Sequence, residues 1–246
     1  MKGTKTNRLV DALKQWITTH NLQPGDRLPS EVELIKKFQA SKSTVREGIR
    51  ALDAQGLIVT KTGPKGGIFV SEMNEVKAKS LLSNYLFFKD VSISDLYQMR
   101  IALEPELAYS LAGELSTEQI NQLINQVHKY ATPPVGVVDE QDHHIDSIAF
   151  HTLLAGFSSN ELLKFNIRFI AQMLTDITIS KKLYERENYE LWKTGYESHR
   201  LLINALLLGD KDKAKNIMRK HMLNAHDYMK SQEATVSQKL FSEIIA

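Results

Sequence analysis

Ser30-Glu31-Val32-Glu33-Leu34-Ile35-Lys36-Lys37-Phe38-Gln39-Ala40-Ser41-Lys42-Ser43-Thr44-Val45-Arg46-Glu47 holds two helix starts and the break between them. Ser30 is an N-cap, and Glu33 stands three residues on, where side chain and backbone can satisfy each other's donors. A short helix follows from Val32 to Phe38. After Gln39-Ala40, Ser41 caps a further helix with an inward face of Val45, Ile49 and Leu52. Its other face carries Lys42, Ser43, Thr44, Arg46 and Arg50. Two short helices, a tight turn and a polar, basic face on the second predict a helix-turn-helix, with the first turns of the second helix at base edges and phosphates.

Upstream, Leu9, Val10, Leu13, Trp16 and Ile17 recur at helical spacing, and Asn21-Leu22-Gln23-Pro24-Gly25-Asp26 supplies the turn that follows. Downstream, Gly56 closes the second helix of the motif. Leu57 to Lys61 and Gly67 to Ser71 read as short strands around the loop from Thr62 to Gly67, which makes the hairpin a wing. The charge agrees with this reading. Residues 1–71 carry twelve Lys and Arg against six Asp and Glu, whereas residues 72–246 carry nineteen against twenty-three. A basic head on a slightly acidic body predicts a polyanionic partner for the head.

The chain has 246 residues, 42% of them hydrophobic and 24% charged, enough to bury a core and to divide into two domains. With no cysteine, disulfides and thiolate metal sites are excluded, and any metal must sit on His, Asp or Glu. No apolar run approaches eighteen residues, so no membrane span is expected, and a cytoplasmic location fits. Residues 73–79 lack strong periodicity and mark the expected linker between a DNA-binding domain at 1–72 and a helical domain at 80–230, with a tail at 231–246. Helical patterns fall at about 76–89, 93–113, 116–131, 140–157, 160–185, 188–208 and 211–230. The expected fold is therefore mainly α: a winged helix-turn-helix with a small hairpin, followed by an all-α antiparallel bundle.

Two stretches resemble known families. Pro24-Gly25-Asp26-Arg27-Leu28-Pro29-Ser30-Glu31, the run Ser43-Thr44-Val45-Arg46-Glu47, Gly56-Leu57-Ile58 and Gly66-Gly67-Ile68-Phe69-Val70 are similar to the GntR family of bacterial regulators. The resemblance implies operator contacts from Arg27, Lys42, Ser43, Thr44, Arg46, Arg50, Lys65 and Gly66. It departs from the family at Val32, where relatives often have Arg. Arg100-Ile101-Ala102-Leu103-Glu104-Pro105, Phe150-His151-Thr152-Leu153-Leu154 and Ser198-His199-Arg200 through Gly209-Asp210 to His221 resemble the FadR C-terminal type of effector domain.

By their spacing alone the three histidines are not a metal signature. The resemblance implies that His151, His199 and His221, with an Asp one turn before the first, hold a divalent cation such as zinc, nickel or manganese, and that Arg100 binds a carboxylate ligand. Here that Asp position is Ser147, which is assigned to the effector pocket. The nearest carboxylate is Asp146, and five helical residues turn through about 500°, which leaves it roughly 140° off the His151 face unless a π-bulge realigns it. Arg100 has a plainer reading as the surface partner of Glu104, four residues on. His143 and His144 are expected in the loop after Pro133-Pro134.

The expectation is a homodimeric repressor or activator that reads a pseudo-palindromic operator in double-stranded DNA and responds to a small carboxylate metabolite. Three alternatives stand beside it: a metal-free sensor of an acyl-CoA or other ligand, a metal-dependent hydrolytic enzyme, and an architectural DNA-binding dimer.

Overall fold

The computed structural model describes residues 4–86, 88–89, 91–180 and 189–236, and the chain divides into two compact units, 1–88 and 89–246. In the first unit, α1 (Lys5–Thr19), α2 (Glu31–Phe38) and α3 (Lys42–Ala54) precede β1 (Ile58–Lys61), β2 (Gly67–Val70) and α4 (Glu75–Leu86). Leu9, Val10 and Leu13 of α1 meet Leu34, Val45 and Leu52 in one core, which Ile58, Ile68 and Val70 of the hairpin close. The caps form as the sequence predicts. Ser30 and Glu33 make a capping box, and Ser41 accepts from the Thr44 amide. β1 and β2 pair antiparallel, with Ile58 opposite Val70 and Lys61 opposite Gly67.

α4 departs from expectation. A helix covers most of the expected linker, and the compact unit ends after it rather than before. None of its residues is buried, and Val76 and Tyr85 are largely exposed, so its apolar residues do not form the inward stripe that a sequence pattern reports. It is fastened instead by Lys77, whose Nζ donates to the Asp53 carbonyl at 3.0 Å, near the C-terminal end of α3.

The second unit is a bundle of α5 (Ile93–Leu111), α6 (Thr117–His128), α7 (Gly136–Gly156), α8 (Glu161–Ser180), α9 (Tyr189–Leu208) and α10 (Lys211–Val236). α5 packs on α8 and α10, α9 on α6 and α10, and α7 on α6, α8 and α9. Only Gly209-Asp210 separates α9 from α10, so these neighbours run antiparallel. Gly209 takes φ +70°, and Asp210 accepts from the Lys213 amide as the next cap. The main core gathers Leu107, Leu123, Phe150, Leu154, Leu202 and Met218. α7 begins at Gly136, four residues before its expected start, so His143 and His144 are helical and not in a loop. α10 runs through the start of the expected tail to Val236, and the rest of that tail lies outside the described residues, as does the end of the helix expected at 160–185.

Candidate functional site

The first unit presents a basic ridge. Lys42, Ser43, Arg46 and Arg50 are exposed along α3, while Thr44 is half-buried. The Ser41 hydroxyl lies 2.9 Å from that of Ser43 and 2.8 Å from that of Thr44, so the first turn of α3 carries a small hydroxyl cluster. Arg46 Nε sits 3.0 Å from both carboxylate oxygens of Glu31, the first residue of α2, which fixes the arginine above the turn between the helices. At the wing, Arg27 Nη2 donates to the Gly66 carbonyl at 2.9 Å, and Lys65 is exposed beside it. A side chain at Gly66 would place a Cβ 2.5 Å from the Lys61 carbonyl oxygen, so the tight wing tip requires glycine. Val32, where relatives often have Arg, is 61% exposed at the start of α2. Every residue named from the resemblance as a DNA contact thus lies on α3, at the wing tip or on Arg27 braced against the wing.

The second unit brings His151 of α7, His199 of α9 and His221 of α10 together in its interior, all buried. His199 Nε2 is 3.0 Å from His151 Nε2, and His221 Nε2 is 3.3 Å from it. The outer nitrogens decide what these contacts mean. His151 Nδ1 faces Glu104 Oε2 at 2.5 Å, and His199 Nδ1 lies 2.7 Å from the Tyr130 hydroxyl. An acceptor-only carboxylate holds the proton of His151 on Nδ1, and a proton on His199 Nδ1 donated to Tyr130 leaves Nε2 of both rings as bare lone pairs. Lone pairs 3.0 Å apart repel each other unless a cation or proton lies between them. Burial strongly disfavours the proton: it pushes His199 and His221 well below the ordinary imidazole range, and neighbouring imidazoles and Arg100 push them further the same way. At His151 burial also lowers the value, although Glu104 opposes it. Three neutral imidazoles, converging and orientated from behind by a carboxylate and a phenol, are a donor set that suits a borderline divalent metal.

Glu104 links this cluster to Arg100. Its Oε1 accepts from Arg100 Nε at 2.5 Å while Oε2 faces His151. Burial alone would raise the carboxyl, but Arg100 and His151 outweigh it and hold it at about 2. The pair is therefore interior, and the plainer reading of Arg100 as a surface partner of Glu104 is corrected: the spacing holds, but both side chains are almost fully buried. Among the described residues Arg100 Nη2 has no hydrogen-bond partner. Arg100, Ser147, His151 and His221 line one cavity of about 550 Å³, its mouth included.

Asp146 is not part of the cluster. It faces α6, where its Oδ1 accepts from Gln126 Nε2 at 3.1 Å and lies 3.5 Å from Lys129 Nζ. α7 is α-helical from Gly136 to Gly156, so nothing rotates Asp146 back toward His151, and the bulged-helix alternative is withdrawn. Sequence reasoning missed Glu104 as the partner of His151, as well as Tyr130, whose carbonyl also accepts from Trp192 Nε1 at 2.9 Å. The Arg100 and Glu104 spacing was the available signal for the first. No local pattern marks the second.

A winged helix-turn-helix joined to a helical bundle with a buried, ligand-lined cavity defines the class: a DNA-binding transcriptional regulator with an effector domain, not an enzyme. Residues 5–70 match the bacterial regulatory proteins of the gntR family and residues 95–224 match the FCD domain, and the chain belongs to this family. It is 32% identical over 224 residues to the HTH-type transcriptional regulator LutR of Bacillus subtilis, covering 87% of this chain and 95% of that protein. It is 26% identical to the HTH-type transcriptional repressor NanR of Salmonella newport, covering 89% of this chain and 83% of that one. In fold it is similar to Streptococcus agalactiae GntR, with a TM-score of 0.60 and 23% identity over 91% of this chain and 99% of the other. No described helix is long and apolar enough to cross a membrane.

Proposed function

We propose that the protein binds a pseudo-palindromic operator as a homodimer, through Lys42, Ser43, Thr44, Arg46 and Arg50 of α3 with Arg27, Lys65 and Gly66 at the wing. A small carboxylate held in the bundle beside a divalent ion changes that affinity. The observation that carries the effector reading is the juxtaposition of a buried Arg100 with a free Nη2 and three converging imidazoles on the wall of one cavity. A planar guanidinium takes a carboxylate by two parallel hydrogen bonds. Zinc, nickel or manganese on His151, His199 and His221 would add a positive centre for the same anion. Asp146 plays no part, and Ser147 stands on the cavity wall where relatives place the carboxylate ligand.

Genomic fragments retained by the purified protein, once sequenced, supply an operator. Carboxylates that raise the melting temperature should then shift operator affinity in gel-retardation titrations, because binding linkage is reciprocal. If none of them does either, the sensor reading falls. Elemental analysis before and after addition of zinc or nickel tests the ion: one equivalent per subunit is expected in the parent protein and none in His199→Ala, and equal uptake by both would refute it.

A further inference from the structure

The cavity has a second polar end, away from the groups that hold the carboxylate. Glu140, His143 and His144 also line it, all from the amino-terminal half of α7. Glu140 and His143 are three residues apart and share a helix face, and they are only 6% and 8% exposed. Asp139, in the first turn, accepts from the Val135 amide through Oδ2 at 2.8 Å and presents Oδ1 to His143 Nε2 at 3.8 Å. An acceptor-only group beside Nε2 favours the imidazole tautomer with its proton there, which leaves Nδ1 as an acceptor. His143 Nδ1 is buried and, among the described residues, has no hydrogen-bond partner. A buried acceptor without a donor is costly unless something brings one.

The two ends therefore have opposite hydrogen-bonding character. At one, Arg100 offers N–H groups and the imidazole cluster a place for a cation. At the other, His143 and Glu140 offer acceptors. We propose that this cavity selects a monocarboxylate whose far end carries hydrogen-bond donors, such as the hydroxyls of a polyhydroxy acid, with His143 and Glu140 as the specificity-determining residues. A plain alkanoate leaves His143 Nδ1 unpaired. A dicarboxylate brings a second anion against Glu140. This inference rests on the carboxylate reading above and adds which carboxylates are refused.

Four probes separate the possibilities on the full chain, by calorimetric titration and thermal shift. They are gluconate, hexanoate and adipate, which share a six-carbon length, and lactate, which is short enough to engage only the Arg100 end. Gluconate is expected to bind at least about tenfold more tightly than hexanoate or adipate, since a buried unpaired polar group costs on that scale. His143→Leu should erase most of that preference while leaving lactate unchanged. His143→Asn, whose amide oxygen can replace the Nδ1 acceptor, should keep most of it, and this rescue separates a specificity role from a merely structural one. If lactate binds but hexanoate or adipate matches gluconate, or if His143→Leu leaves the ratio intact, the two-ended site is overturned and the carboxylate sensor stands. If none of the four probes binds, the carboxylate reading itself fails and takes this inference with it.

Discussion

Arg46 commits its Nε to Glu31, so a contact to DNA falls to its terminal amino groups or requires exchange of one anion for another. Arg46→Ala should cost about 1–3 kcal/mol of specific operator affinity if it reads a base, with helix content and oligomeric state unchanged; unaltered affinity in a gel-shift titration would remove it from the interface. Glu104→Gln should weaken zinc or nickel binding about 10–100-fold, because the amide no longer fixes the Nδ1 proton of His151. It should also lower the melting temperature, since Arg100 loses its buried counter-charge. Titration of chelator-stripped protein with either metal measures the first effect, and wild-type affinity in the variant would show that Glu104 does not orient the ligand. These residues mark how much of the site could be read in advance. His151, His199, His221 and Arg100 were reached through resemblance, since spacings of 48 and 22 residues carry no local signature. Glu104 was visible only as a helical neighbour of Arg100, because an i,i+4 pair looks the same on a surface as in a core.

At the scale of elements, capping made the head legible: Ser30, Glu33 and Ser41 announce helix starts through local chemistry, and the structure places them there. α7 was misread at its start because Pro133, Pro134, Gly136 and the valines at 137 and 138 read as loop or strand residues, and packing overrides that preference. α4 was missed as part of the head because no buried stripe identifies it. Lys77→Ala should loosen α4 by removing its bond to the end of α3, where a lysine also complements the helix dipole. Faster amide exchange across residues 78–86, with the hairpin unaffected, is the expected result, and unchanged exchange would mean that Lys77 does not anchor the helix. Gly209 joins α9 to α10 with positive φ, and a Cβ there would lie 3.5 Å from Gly113 Cα. Gly209→Ala should destabilise the bundle by about 1–2 kcal/mol, the cost of a left-handed alanine, as read from a urea melt; no change in midpoint would show that the junction relaxes freely.

For the molecule as a whole, the division into basic head and acidic body was already plain in the charges. The exact boundary was not, because the helix that follows the wing has no inward stripe to announce it. Acid stability depends on the interior histidines. Burial and the nearby Arg100 and His151 hold His144 down at about 4, and His199 and His221 are also depressed. An unfolded chain takes up protons at these residues as pH falls below about 6.5, whereas the folded chain does not until near the depressed values. The sign is therefore destabilising on acidification, and chelator-treated protein should lose melting temperature steadily between pH 6.5 and 4; a flat profile would contradict neutral burial. The convergence of His151, His199 and His221 has a kinetic side as well. These residues come from three helices, and Glu104 brings in a fourth, so an ion seated among them is enclosed by segments distant along the chain. It can leave only when one of those helices draws away from the others. The half-life of a bound radioisotope against excess cold metal would then work as a clock, counting how often the bundle opens.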